Sequence, residues 1–183
     1  MKILLSIGGA SGSIYGIRLL EELIKSKAEI HLIVTDGAKK IIEHETKYNY
    51  NDLKKKANFC HNNSDLFAGP ASGSFKIDAM IVCPCSMKTL SSIANGYGEN
   101  LTARAASCRL KEEKKLILVI RETPLDLPGI KNMMSAKQAG ATILPAMPGF
   151  YHKPKKIEDL VDFIVGKVLD QLEIEHILYK RWK

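Results

Sequence analysis

Short runs of consecutive, largely apolar and β-branched residues recur at Lys2–Ile7, Glu29–Thr35, Ala79–Cys83 and Leu116–Ile120, and they restrict the fold of this chain more than any other feature. A half-exposed strand alternates apolar and polar side chains; runs that do not alternate read as strands buried on both faces, the habit of parallel sheets. Between them the spacing turns helical. Ile14, Ile17, Leu20, Leu23 and Ile24 fall on one helical face, and Ala38–Glu43 begins a second helix. Further helices are predicted over 88–94, 101–112, 130–139 and 157–172, the last with Leu160, Val161, Ile164, Val168 and Leu172 on its apolar face. A short strand is expected at 141–144.

Strand and helix thus alternate at the spacing of βαβ units. This predicts an α/β protein: a three-layer, Rossmann-like open sheet, mostly parallel, with helices on both faces and any ligand at the carboxyl ends of the strands. The 183 residues suffice for a single domain whose core needs neither disulfide nor metal, with a C-terminal tail from about residue 173. Residues 47–75 are polar and poorly periodic, and read as a long excursion with short elements at most. No apolar run approaches the roughly 18 residues of a membrane span. Gly8–Gly12 breaks the first apolar run too early for a signal peptide, so a cytoplasmic location is expected.

The net charge of +7 is scattered in short lysine groups without interleaved aromatics, which argues against a nucleic-acid surface and for anionic small molecules. Cys83 and Cys85 are separated by one residue, unlike zinc knuckles, so no metal site is expected. Cys83 and Cys108 read as small core residues.

In that topology four polar turns follow four strands and meet in one crevice: Gly8–Ser13, Thr35–Asp36, Pro84–Thr89 and Arg121–Glu122. The third is the most suggestive. Ser86 and Thr89 hydroxyls, the ammonium of Lys88 and the N–H groups of the following helix offer donors to an anion; read alone, the same turn is equally an ordinary Ser-capped helix. Gly8-Gly9-Ala10-Ser11-Gly12 departs from the dinucleotide fingerprint, and Thr35 replaces the expected acid, so a mononucleotide such as FMN suits the crevice better than NAD. Arg104 and Lys111 are two helical turns apart and share a face, placed to clamp an anion together. Arg121 at a strand end needs a carboxylate or phosphate partner, and Glu122 beside it is that partner or a proton carrier. His31 and His44 have no partner at ligand spacing and read as core or surface residues; His152, beside Tyr151 in a loop, is less readily dismissed. There is no nucleophile elbow, paired-His motif or Walker sequence.

With these segments in place, the chain resembles the UbiX-type flavin prenyltransferases over nearly its whole length. The resemblance rests on Gly9-Ala10-Ser11-Gly12 with Ile14-Tyr15-Gly16, Ser72-Gly73-Ser74, Cys83 to Leu90, Leu110-Lys111-Glu112, Arg121 to Leu125, Pro148 to His152, and Arg181-Trp182. It implies transfer of a dimethylallyl group from dimethylallyl phosphate to N5 and then C6 of reduced FMN, without a metal, giving prenylated FMN for a UbiD-type decarboxylase. By position it assigns Gly9, Ala10, Ser11, Thr35, Ser86, Met87, Lys88, Thr89 and Arg121 to FMN. Arg104, Lys111, Arg121, Tyr151 and Lys167 fall to the prenyl phosphate, and Ser11, Glu45 and Glu122 to the reacting centre. Thr35 stands where Ser is frequent and Lys167 where some members have Arg, which trades a planar fork for a point charge. The resemblance further implies a homododecamer in which Glu45 or Tyr151 acts in a neighbour's site. Two other readings share the crevice: an FMN-dependent cysteine decarboxylase, whose turn is Asn-rich where this one is Ser86-Met87-Lys88-Thr89, and a non-catalytic flavin carrier, which has no use for Arg104, Lys111, Tyr151 and Lys167 together.

Overall fold

A computed structural model describes residues 1–182. It contains a six-stranded sheet in the order β3-β2-β1-β4-β5-β6, every neighbouring pair parallel. The strands are β1 (Lys2–Ile7), β2 (Glu29–Val34), β3 (Phe59–His61), β4 (Ala79–Cys85), β5 (Lys115–Ile120) and β6 (Thr142–Pro145). The helices are α1 (Ser13–Lys25), α2 (Asp36–Glu45), α3 (Tyr50–Lys56), α4 (Met87–Ala94), α5 (Leu101–Lys111), α6 (Leu127–Gln138) and α7 (Ile157–Gln171). The chain winds outward from β1 in one direction and from β4 in the other, so the switch point lies between these two central strands.

Each strand divides its side chains between two cores with the period of two that a pleated strand imposes. Ile3, Leu5 and Ile7, with Ile30, Leu32, Val34, Ile81, Ile117 and Val119, pack beneath α1, α2, α3 and α7. Leu4, Ile33, Met80, Val82, Leu116, Leu118 and Ile120 pack beneath α4, α5 and α6. Ile24, read from the sequence onto the buried face of α1, is 40% exposed; Leu19 takes its place, because the face that meets β1 is turned by about one residue.

The expected end of the third strand at Cys83 is not observed. β4 continues through Pro84 to Cys85, with an irregularity in its pairing to β5 between Val82 and Cys85. A bulge of this kind reverses the side-chain alternation: Cys83 faces the α1 core and Cys85 the α4 core although they are two residues apart. Both thiols are free and fully buried, and burial pushes the Cys85 thiol up to about 12. They are inert packing groups.

The 47–75 excursion holds α3, the short edge strand β3 and a 3-10 turn at Gly69–Ala71. Arg109 of α5 is buried beneath this segment, its guanidinium donating to the carbonyls of Ile77 (3.0 Å) and Phe75 (3.3 Å). The C-terminal tail is not separate from the core: Tyr179 is buried in the cluster formed by α1 and α7. Among the described residues, no helix is long and apolar enough to cross a membrane.

Candidate active site

The parallel ladder runs one residue past the strands into the turns that follow them. Thr35 N–H donates to Ile7 (3.1 Å), Gly8 N–H to Pro84 (3.1 Å), Arg121 N–H to Cys85 (3.3 Å) and Ala146 N–H to Ile120 (2.8 Å). These bonds tie the expected turns together edge to edge. The consecutive carbonyls of Pro84 and Cys85 thus serve β1 on one side and β5 on the other, as alternation along a strand requires.

Above the turns after β1, β2 and β4 lies a cleft of about 390 Å³, lined by Gly9, Thr35, Ser86, Lys88 and Thr89 together with Asp36, Gly37, Asn63, Ser92, Glu99 and Asn100. Three helices begin at its walls, each with a side-chain cap. Thr35 Oγ1 accepts from Ala38 N–H (3.2 Å) at α2, Ser86 Oγ from Thr89 N–H (3.3 Å) at α4, and Asn100 Oδ1 from Ala103 N–H (3.0 Å) at α5. Three N-termini directed at one cleft give it the partial positive charge that an anion seeks. The cap that the sequence offered as the ordinary reading of the Ser86 turn is present, and it stands on the wall of this cleft. Beneath the cleft a buried chain runs from Ser6 Oγ to Thr102 Oγ1 (2.8 Å) and on to Asn63 Oδ1 (2.8 Å), fixing the start of α5. Lys88 pairs with Glu99 at 3.2 Å across the mouth.

The glycine turn is organised differently. α1 has Gly12 at its N-cap position in the left-handed region (φ 92°) and no local side-chain cap. Glu45, at the end of α2, supplies one from a distance: its Oε2 accepts from Gly12 N–H (2.9 Å), Ser13 N–H (3.1 Å) and Ser13 Oγ (3.0 Å). Burial alone would raise the Glu45 carboxyl, but these donors and the Ser11 hydroxyl outweigh it and hold the carboxyl below its ordinary range. The donors that a dinucleotide fold offers to pyrophosphate are therefore already taken by a carboxylate, and Glu45 is engaged within its own chain.

Arg121 Nε donates to the Ser11 carbonyl at 3.0 Å, joining the first and fourth turns. With Glu122 it borders a second trough, of about 340 Å³, whose other walls include Leu125, Met133, Pro145 and Met147. Glu122 is exposed, its Oε1 accepting from Thr123 N–H at 3.2 Å. Ala10 is buried beneath the turn, and Met87 turns toward Gly129 of α6 rather than into the cleft.

Arg104 and Lys111 face the segment 71–74, as their shared helical face requires: Arg104 Nε donates to the Ala71 carbonyl (3.0 Å), and Lys111 lies against Gly73. They do not reach the crevice together. α5 begins at the cleft, so the two turns from Arg104 carry Lys111 about 10 Å further from it. Among the described residues, neither makes a hydrogen bond or ion pair with Arg121, Tyr151 or Lys167.

Tyr151 and Lys167 form a third group with the tail. Lys167 Nζ sits over the Tyr179 ring (5.1 Å), and Tyr151 meets Trp182 edge-on at 5.5 Å. Asp170 gathers the tail onto α7, accepting from Tyr179 OH (2.6 Å) and Arg181 (2.7 Å). Burial would raise its carboxyl, but Tyr179, Arg181 and His176 outweigh that and bring it down to about 2. Because the folded value lies below the ordinary one of about 3.9, this contribution is present above about pH 4 and is lost as pH falls toward 2. Fluorescence of Trp182, the only tryptophan, should accordingly report tail release in that window, and Asp170→Asn should abolish the acid transition. An unchanged transition in the variant would assign it elsewhere.

The cleft residues Asn63, Ser92, Glu99 and Asn100 were not singled out in the sequence, where isolated Asn and Ser carry no distinctive spacing. No group of three or more His, Cys, Asp or Glu side chains placed to hold a metal occurs among the described residues. His31 is buried and paired with His61 (2.9 Å). His152 stacks on Phe163 with ring centroids 5.2 Å apart.

The sequence matches the flavoprotein family over residues 1–169. A flavin prenyltransferase UbiX of Methanocaldococcus jannaschii is 48% identical over 182 residues, covering 100% of this chain and 98% of the relative. A crystal structure of AnUbiX in complex with FMN and dimethylallyl pyrophosphate superposes with a TM-score of 0.98 at 41% identity, over 100% of this chain and 97% of that one. A dodecameric FMN-dependent UbiX-like decarboxylase from Escherichia coli O157:H7 gives 0.97 at 43% identity, over 100% of both chains.

Proposed function

The chain belongs to the flavoprotein family and, within it, to the UbiX flavin prenyltransferases, and from that membership we infer that it transfers a dimethylallyl group from dimethylallyl phosphate to reduced FMN. The product, prenylated FMN, serves a UbiD-type decarboxylase. The observation in the fold that carries this reading is the convergence of three capped helix N-termini on one cleft. Its hydroxyls, backbone donors and size of about 390 Å³ fit a phosphate-bearing mononucleotide.

We assign the FMN phosphate to Gly9, Thr35, Ser86, Lys88 and Thr89, with Ser11 and Arg121 along the rest of the flavin and Ala10 and Met87 meeting it through their backbone alone, since their side chains turn away. Reduced FMN supplies an electron-rich ring whose N5 and C6 accept the prenyl group. As the allylic C–O bond of the donor ionises, negative charge gathers on the departing phosphate and positive charge on the dimethylallyl group. Arg121, Tyr151 and Lys167, with Arg104 and Lys111, take the phosphate; the apolar walls at Leu125, Met133 and Met147 suit a short isoprenoid. Glu122, exposed beside Arg121, takes part in the proton traffic that accompanies the departure of the phosphate. Ser11 and Glu45 hold the turn against which the reaction occurs.

Arg104 and Lys111 lie apart from Arg121 within one chain, which supports a homododecamer whose sites are completed by neighbours. We place the protein in the cytoplasm, where free thiols such as Cys83 and Cys85 persist. The cysteine-decarboxylase reading is not favoured, because the turn at 86–89 contains no Asn.

Anaerobic incubation with reduced FMN and either dimethylallyl phosphate or the diphosphate, followed by mass analysis, should give a flavin heavier by one prenyl unit. No adduct from either donor would overturn the assignment. Ser86→Ala removes both the α4 cap and a cleft hydroxyl. It is expected to cost about 1 kcal/mol of stability, a fall in Tm of about 2–4 °C, and to weaken FMN retention on dialysis; unchanged retention would remove Ser86 from the phosphate set.

A further inference from the structure

The C-terminal segment makes contacts that the reaction as described does not use. On α7, Gly166 presents bare backbone, and a Cβ there would lie 2.6 Å from the Tyr179 ring and 2.7 Å from the His176 ring. The two tail rings are seated where a side chain would otherwise stand. Four residues further on, Asp170 collects the polar ends of the same tail: Oδ1 accepts from His176 Nε2 (3.1 Å) and Arg181 Nη2 (2.7 Å), and Oδ2 from Tyr179 OH (2.6 Å). The remaining His176 nitrogen, Nδ1, accepts from Leu178 N–H (3.2 Å), which fixes the neutral Nε2–H tautomer and leaves no ring nitrogen of His176 idle.

Lys167 stands between these two anchors. Its Nζ lies 3.6 Å from Asp170 Oδ2 and above the rings of Tyr179 (5.1 Å) and Phe163 (5.7 Å). Beyond Arg181, Trp182 meets Tyr151 edge-on, and Tyr151 in turn packs on Phe163. One folded-back segment therefore touches both members of the Tyr151–Lys167 pair. A lysine on four flexible bonds, unlike an arginine fork, carries no orientation of its own.

We propose that Asp170 is a positioning residue for prenyl transfer: through Tyr179 and the docked segment 176–182 it sets the Lys167 ammonium and the Tyr151 ring for the donor phosphate. This rests on the assignment of Lys167 and Tyr151 to that phosphate. Asp170 touches neither substrate and acts only through its neighbours. The same geometry accounts for a lysine where an arginine is tolerated, since the tail supplies the orientation that the side chain lacks.

The test is a set of initial-rate measurements on the assembled enzyme with Asp170→Asn, Tyr179→Phe, Lys167→Met and the double variant Asp170→Asn/Lys167→Met. Tyr179→Phe keeps the ring on Gly166 and removes only the hydroxyl, so it folds where Asp170→Asn is at risk. Asp170→Asn and Tyr179→Phe are each expected to raise KM for dimethylallyl phosphate about tenfold, the size of one charge-assisted hydrogen bond. The FMN dissociation constant should stay unchanged. In the Lys167→Met background, Asp170→Asn should add nothing further. If Lys167→Met raises KM while Asp170→Asn and Tyr179→Phe do not, or if the two effects multiply, the positioning role is overturned and the phosphate assignment stands. If Lys167→Met leaves KM unmoved, the assignment falls and the positioning role falls with it.

Discussion

Arg121→Ala is expected to slow single-turnover prenylation of reduced FMN by about a hundredfold to a thousandfold, the usual cost of removing one preorganised donor from a developing negative charge. The guanidinium is held by a single protein bond, from Nε to the Ser11 carbonyl at 3.0 Å. Among the described residues its two terminal nitrogens donate to nothing, so they are available as a fork. Arg121→Lys retains the charge without the fork and should fall between the parent and Arg121→Ala. Folding should hardly register the change, because the side chain is half-exposed and its loss leaves no cavity. The expected pattern is a large loss of rate with Tm nearly constant; a rate within a few-fold of the parent would remove Arg121 from the groups that take the prenyl phosphate.

Gly16→Ala is the largest effect expected on stability. Two contributions oppose each other, and their magnitudes decide the sign. In a helix interior Ala is favoured over Gly by up to about 1 kcal/mol. At this position, however, a Cβ would collide with the carbonyl oxygen of Cys83 and stand 3.0 Å from Ile7 Cγ1. The Cys83 carbonyl is backbone of the central strand β4 and cannot rotate away, so α1 must lift, at a cost near the upper end of the 1–3 kcal/mol typical of overpacking. A net loss of about 2 kcal/mol corresponds to about 4–8 °C in Tm. FMN affinity should fall as well, since α1 carries the Gly8–Ser13 turn. A thermal melt showing Gly16→Ala more stable than the parent would mean that helix propensity wins and that α1 is free to move.

What the sequence made legible follows from how strongly local pattern reflects burial. The four long apolar runs and the turns after them were readable because a strand covered on both faces is apolar almost throughout, and its buried exceptions, Ser6 and His31, are each hydrogen-bonded. β3 was not: with three residues, an exposed Phe59 and polar neighbours, an edge strand has no period to detect. The extension of β4 to Cys85 was hidden because a proline ordinarily ends a strand, and only pairing on both sides shows that this one sits in a bulge. Within the site, Ser86, Thr89, Thr35 and Gly9 were legible as turn residues at strand ends. Asn63 and Asn100 were not, since their role depends on α5 starting beside a segment nearly forty residues away. Glu45 was placed at the reacting centre by resemblance, while its capping of α1 is a long-range contact that no spacing encodes. Arg109, which no sequence pattern sets apart, is buried on two carbonyls. The docking of the tail was not legible because its apolar residues lack helical spacing; Tyr179 seats against the bare backbone of Gly166 instead.

The ladder bonds at Gly8, Thr35, Arg121 and Ala146 also bear on the motions available during turnover. Their amides belong to turns by sequence but to the sheet by bonding, so in hydrogen–deuterium exchange they should be protected almost as long as the central strands, and far longer than their immediate neighbours. The floor of the crevice is consequently a single stiff plate that cannot breathe one turn at a time. Freedom to move is left to the outer wall, where an exposed ion pair between Lys88 and Glu99 bridges the mouth.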